Sequence, residues 1–256
     1  MRFATWNVNS VKARLPKLLA WLEASDCDVV CLQELKTTDA EFPAADVKAL
    51  GYEVATHADG RWNGVAVLSR VGVADVVRGL DGEPGFPEPE ARAVAATCGP
   101  LRVWSVYVPN GREVGHDHYA YKLAWLAALR GTVAPHVGEP IAVAGDFNVA
   151  PTDADVWDIK AFEGATHVTD AERAAVAGLT EAGLTEVVPR ALKYDTPYTY
   201  WDYRQLAFPK NMGMRIDLVY ASPQVAAAVT DAYVDREARK GKGTSDHAPV
   251  VVDVTL

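Results

Sequence analysis

Six short segments carry side chains suited to hydrolysing a phosphate ester. Asn7 closes an apolar run near the N-terminus, and Gln33-Glu34 closes a second. Tyr107 and then Asn110 follow a third, Asp146 and Asn148 a fourth. Asp217 sits between Ile216 and Leu218, and Asp246-His247 precede the last apolar run. Asn, Glu and Asp oxygens are hard ligands, suited to Mg²⁺, or Mn²⁺ in its place, rather than Zn²⁺. Mg²⁺ takes one or two carboxylates, keeps several waters and binds substrate phosphate oxygens, as phosphoester cleavage requires. Taken singly, each segment has an ordinary reading as a solvated strand end or an Asx turn. Asp217 is harder to dismiss, because a carboxylate among apolar neighbours needs a partner, and His247 is the candidate.

Groups placed at strand ends need a rigid scaffold behind them. Alternating and continuous apolar runs predict strands over Arg2–Val8, Asp28–Gln33, Tyr52–Thr56, Gly64–Ser69, Val73–Val77, Ala91–Cys98 and Leu101–Val108. Further strands are expected over Ile141–Ala144, Arg215–Tyr220, Ala227–Val234 and Pro249–Val254. Helical spacing marks Val11–Ser25, His118–Val133 and Asp170–Gly183. Ser10 is the expected N-cap of the first helix, and Pro16 is expected to strain its early turns. Leu80 to Glu90, rich in Gly and Pro, reads as one loop. Runs such as Ile141–Ala144 imply strands covered on both faces. The expected architecture is one α/β domain over residues 1–256, a four-layer αββα sandwich of two mostly antiparallel sheets with outer helices.

The composition, 49% hydrophobic and 23% charged, is ordinary for a globular chain and excludes a disordered one. No stretch approaches the roughly 20 apolar residues of a membrane span, and the first residues lack a signal-peptide pattern. Cys27, Cys31 and Cys98 read as buried thiols in a cytoplasmic protein. The net charge of −9 argues against a uniformly DNA-attracting surface. Metal-bound carboxylates would offset part of it. The run Arg236 to Lys242 is expected to supply a local positive rim.

The motifs together resemble the exonuclease III/apurinic endonuclease family, within the endonuclease–exonuclease–phosphatase superfamily. They are Thr5-Trp6-Asn7-Val8-Asn9, Leu32-Gln33-Glu34-Leu35-Lys36, Tyr107-Val108-Pro109-Asn110-Gly111, Gly145-Asp146-Phe147-Asn148, Arg215-Ile216-Asp217 and Ser245-Asp246-His247. The resemblance implies a DNase-I-like sandwich and a Mg²⁺-dependent hydrolase acting as a monomer on duplex DNA. Its activities would be cleavage 5′ to abasic sites and trimming of 3′ ends. It implies Glu34, Asn7 and Asp246 at the metal, Asp146 on the attacking water and Asn148 on Asp146 or the phosphate. His247, oriented by Asp217, would contact a non-bridging phosphate oxygen, and Tyr107 would donate to the phosphate or the leaving group. Lys36, Asn110, Arg112, Tyr200, Trp201, Arg204 and Met214 would touch DNA, with Tyr200, Trp201, Met214 and Ile216 lining a pocket for a sugar that lacks its base. Asn9-Ser10 and Met214 depart from the common family pattern. The alternative substrates on this fold are RNA, an inositol phosphate or a lipid head group; Trp201 to Arg204 argue for DNA.

Overall fold

In the computed structural model, residues 1–60 and 62–256 are described. The elements run β1 (Arg2–Asn7), α1 (Val11–Ser25), β2 (Val29–Gln33), α2 (Ala44–Ala49), β3 (Glu53–His57), β4 (Val65–Ser69), β5 (Ala74–Arg78), β6 (Ala93–Cys98) and β7 (Leu101–Tyr107). Then come α3 (Asp117–Val133), β8 (Ile141–Asp146), α4 (Asp170–Glu181), β9 (Thr185–Glu186), α5 (Ala207–Lys210), β10 (Asp217–Ala221), α6 (Pro223–Ala227), β11 (Val229–Val234) and β12 (Val250–Val254). They form two six-stranded sheets, ordered β11-β12-β1-β2-β4-β3 and β5-β6-β7-β8-β10-β9. Each sheet has one parallel pair, β1 with β2 and β7 with β8; the remaining pairs are antiparallel.

The period-2 alternation of each strand divides its side chains between two cores. Phe3, Val29, Cys31, Val103, Ala142, Ala144, Val219 and Val252 point between the sheets. The intervening residues face the helices. Trp6, Val30 and Leu32 meet Leu18, Trp21 and Leu22 of α1, while Trp104 and Val143 meet Trp125, Leu126 and Leu129 of α3. This produces the expected αββα layering and explains why the central strands read as unbroken apolar runs. All three cysteines are buried and free.

Helix starts follow local chemistry. The Ser10 side chain accepts from Ala13 N at the start of α1, which runs unbroken through Pro16. Thr169 and Glu172 form a reciprocal capping box on α4. The strand expected from Ala227 is shortened, because Ser222-Pro223 starts the short α6, where a proline at the first helical position loses no hydrogen bond. The short α2, α5 and β9 carry too little periodicity to be seen in sequence. No helix of the described residues is long and apolar enough to cross a membrane.

The basic run behaves differently from expectation. Arg239 is buried, and its Nη2 donates to Trp201 O at 3.2 Å. The Arg236 guanidinium lies 3.9 Å from the Phe208 ring centre and 5.2 Å from that of Trp201. Lys240 pairs with Glu237. Arg236 and Arg239 thus pack the 201–212 segment onto the body, while Lys240 and Lys242 stay exposed, so only the two lysines of the run are left to a positive rim.

Candidate active site

Sheet register assembles the centre. Asp146 at the end of β8 stands opposite Asp217 of β10 on one side and Tyr107 of β7 on the other. Asn7 and Gln33 pair at the ends of β1 and β2 in the facing sheet. The Gly before Asp146 is dictated by packing: a Cβ on Gly145 would lie 1.9 Å from Val106 O. Asn148 lies in the left-handed region at φ 50°, which Asn tolerates better than most residues. From that turn its backbone N–H donates to Asp146 Oδ1 at 2.9 Å, while its Nδ2 donates to Val108 O at 3.0 Å.

A cleft of about 270 Å³ gathers Glu34, Tyr107, Asn110, Asp146, Asn148, Tyr200, Met214, Asp246 and His247. His247 Nδ1 is 2.8 Å from Asp217 Oδ2, and its Nε2 is 3.8 Å from Asp146 Oδ2. Burial opposes charge on the imidazole, but Asp217 and the other carboxylates outweigh it, pushing the ring up to about 10. Burial pushes Asp146 the other way for an acid, up to about 7, with His247, the Asn148 N–H and the Asn7 amide pulling it back. The Tyr107 hydroxyl is held well above its ordinary value by burial and then by Glu34, so it remains a donor. The centre therefore holds a cationic donor, a carboxylate near its titration point and a neutral phenol within one cleft.

Asn7, expected at the metal, also orients Asp146. Its Nδ2 donates to Asp146 Oδ2 at 2.9 Å and its Oδ1 accepts from Asn9 N at 2.9 Å, so both ends of the amide are engaged in orienting neighbours. Asn9, whose Nδ2 donates to Asp246 Oδ1 at 2.9 Å, extends the network to the second expected ligand. Glu34 sits at φ 57°, with Lys36 Nζ 3.0 Å from its Oε1.

Among the described residues, Asp146, Asp217 and His247 bring ligand atoms within 4.8 Å of one another. The 2.8 Å Asp217–His247 contact makes this trio a proton-holding set, since a shared proton occupies the atoms a metal would need. Glu34 and Asp246 remain as the carboxylates for a hard cation. The donor set of the cleft fits one: it offers carboxylate and amide oxygens and no thiolate. The crowding of Glu34, Asp146 and Asp246 in one cleft also repels a phosphodiester until a cation offsets them.

The expected DNA contacts divide. Asn110, Arg112 and Arg204 are exposed, while Lys36 and Tyr200 are half-buried. Met214 is buried at the cleft wall. Trp201 is a correction: it is 1% exposed, its Nε1 donates to Asn211 Oδ1, and it stacks edge-on with Phe208, so it is a core aromatic that cannot reach DNA. Sequence reasoning missed two neighbours. His167, at φ 85°, lies with Nε2 3.2 Å from Asn148 Oδ1, an oxygen that also accepts from Asn110 Nδ2. Lys122 is fully buried and donates to Asn148 O at 2.7 Å, Asn110 O at 3.2 Å and Glu172 Oε1 at 2.5 Å. Glu172 Oε1 in turn accepts from His167 N at 2.9 Å. One ion pair thus ties together the three loops that carry Asn110, Asn148 and His167. The capping-box pattern around Glu172 was the only sequence signal for it.

Known proteins resemble the chain along its whole length. The model of the Endonuclease/Exonuclease/phosphatase family matches residues 4–247. An exodeoxyribonuclease of Bacillus subtilis is 28% identical across the full length of both chains. A solved 3′–5′ exonuclease from Neisseria meningitidis superposes with a TM-score of 0.95 at 36% identity, covering all of both chains. An AP endonuclease from Archaeoglobus fulgidus does so with a TM-score of 0.94 at 32% identity, again over all of both chains.

Proposed function

Because the chain belongs to the endonuclease/exonuclease/phosphatase family, we propose that it is a divalent-metal-dependent DNA-repair phosphodiesterase that cleaves 5′ to abasic sites and trims 3′ ends. The observation that carries this reading is the Asp146–His247–Asp217 set, which shares one cleft with Glu34 and Asp246. A full-length relative named as an exodeoxyribonuclease and a like-folded 3′ phosphatase from Neisseria solved with a product DNA hairpin support DNA as the substrate.

Glu34 and Asp246 would hold Mg²⁺, which neutralises phosphate charge and lowers the barrier to attack by water. Asp146, oriented by Asn7 and the Asn148 N–H, accepts the proton of the attacking water. Its elevated position, near neutrality, matches the ideal of a base poised at the working pH. Water adds to phosphorus, the bond to the 3′ oxygen breaks, and that oxygen leaves with a proton. His247, kept cationic by Asp217, serves as a clamp on a non-bridging oxygen and not as the base. The Tyr107 hydroxyl donates to the phosphate or the departing oxygen. Both donors act more strongly as negative charge grows in the transition state.

The test uses two duplexes, one with a single abasic site and one with a 3′-phosphate end, each with Mg²⁺ and with a chelator. Incision and phosphate release that both vanish with chelator are expected. Intact DNA alongside hydrolysis of a small phosphate ester would refute the assignment to DNA.

A further inference from the structure

Beside the cleft lies a second cavity of about 330 Å³, whose apolar wall is Trp157, Phe162, Tyr200, Met212 and Met214. Tyr200 and Met214 line both spaces. Their backbones pair, with Tyr200 N donating to Met214 O at 2.9 Å and Met214 N to Tyr200 O at 3.0 Å, so this bridge is the partition between cleft and cavity. Trp157 is tied to the partition through its N–H on Gly213 O at 3.0 Å, yet its side chain remains 40% exposed. At the polar edge, which Asp202, Arg204 and Gln205 form, Gln205 lies at φ 58°. Strained backbone of this kind persists where surrounding structure holds it, often at ligand-binding sites.

We propose that this cavity receives the base of the nucleotide being removed, so that the site is built for 3′ ends that still carry a base. The inference rests on the nuclease reading above. Aromatic faces and two thioethers are surfaces on which a nucleobase packs, and a bare deoxyribose has no π face to use them. Gln205 offers a donor and an acceptor to a base edge. The volume lies at the small end of the roughly 300–1,000 Å³ of small-molecule sites, which leaves room for a single base. A terminal nucleotide stacks on one side only, so turning it out costs less than flipping an internal one. The bond chemistry is unchanged: water adds to phosphorus, the preceding 3′ oxygen leaves protonated, and the released 5′-nucleotide keeps its base.

The experiment compares the protein with Trp157→Ala, and separately Met212→Trp to fill the cavity, on two recessed duplexes. One ends in an ordinary nucleotide and the other in a 3′-phosphate, which presents no base to remove. Each variant is expected to lower kcat/KM on the ordinary end by about 5- to 150-fold, the range for loss of one base–aromatic stack. Release of the 3′-phosphate is expected to stay within about twofold, since no base enters the cavity. Equal losses on both ends, or no loss on either, would overturn the proposal. Wild-type protein inactive on both ends would instead remove the nuclease reading itself.

Discussion

Replacing Lys122 by Met keeps an unbranched stem in the same space and deletes only the buried ammonium. Four oxygens lose a donor: Glu172 Oε1, Asn148 O, Asn110 O and Thr166 Oγ1. Burial resists charge at both ends of the pair and pulls the Lys122 ammonium down. For Glu172 burial acts upward, but Lys122, Thr166 and the His167 N–H outweigh it and bring the carboxyl from 4.5 to about 2. The two shifts oppose each other in stability, and removing one partner of a buried ion pair costs about 3–5 kcal/mol because the other charge is left buried without it. The sign follows from the lowered carboxyl: its contribution is complete above pH 4.5 and is lost as pH falls toward 2. Lys122→Met should therefore lose about 3–5 kcal/mol in urea unfolding at pH 7, with the deficit shrinking below pH 4.5. Adding Glu172→Gln should recover at least about 1 kcal/mol, because a neutral amide needs no counter-charge. The loosened loops should lower kcat on DNA by about 10–100-fold, as small misplacements in active sites do, with little change in KM. A stability loss under about 1 kcal/mol, or a double variant that sums both single losses, would refute this account of the pair.

The other perturbations act at the cleft. Glu34→Gln should raise the Mg²⁺ concentration for half-maximal activity at least about tenfold, on the scale of damage to a metal site; an unchanged Mg²⁺ titration would remove Glu34 as the main ligand. Asp146→Asn should lower kcat by about 10²–10⁴-fold, the usual contribution of general-base catalysis, while gel-shift binding of abasic duplex persists. A variant of near-full rate would exclude Asp146 as the base. Asp217→Asn should reduce kcat by about 10²-fold or more, since His247 loses the charge that keeps it a cationic donor; wild-type turnover would show that Asp217 is structural only.

Much of the centre was legible in the chain because its logic is local. Period-2 burial announces where a strand ends, and the residue at the end is then placed by the sheet. Gly145 before Asp146, Asn148 at a left-handed turn, and Asp217 among apolar neighbours each carry a constraint that few other residue types satisfy. The pairing of Asp217 with His247 followed from the need of a buried carboxylate for a partner. Other features depended on which loops pack together. Trp201 is assigned to DNA by resemblance, but Arg236, Arg239 and Phe208 enclose it. The same enclosure takes Arg236 and Arg239 out of the expected basic rim. Lys122 lies on the buried face of α3, and its partner Glu172 is 50 residues away. Asn7 reaches Asp146 across 139 residues. The sequence by itself determined the kinds of chemical group and the strand ends that present them, because side-chain identity and periodicity are local properties. Only the tertiary structure decided which charges are buried, which amides orient others and which aromatics remain open, because desolvation and hydrogen-bond partners are set by segments far apart in the chain.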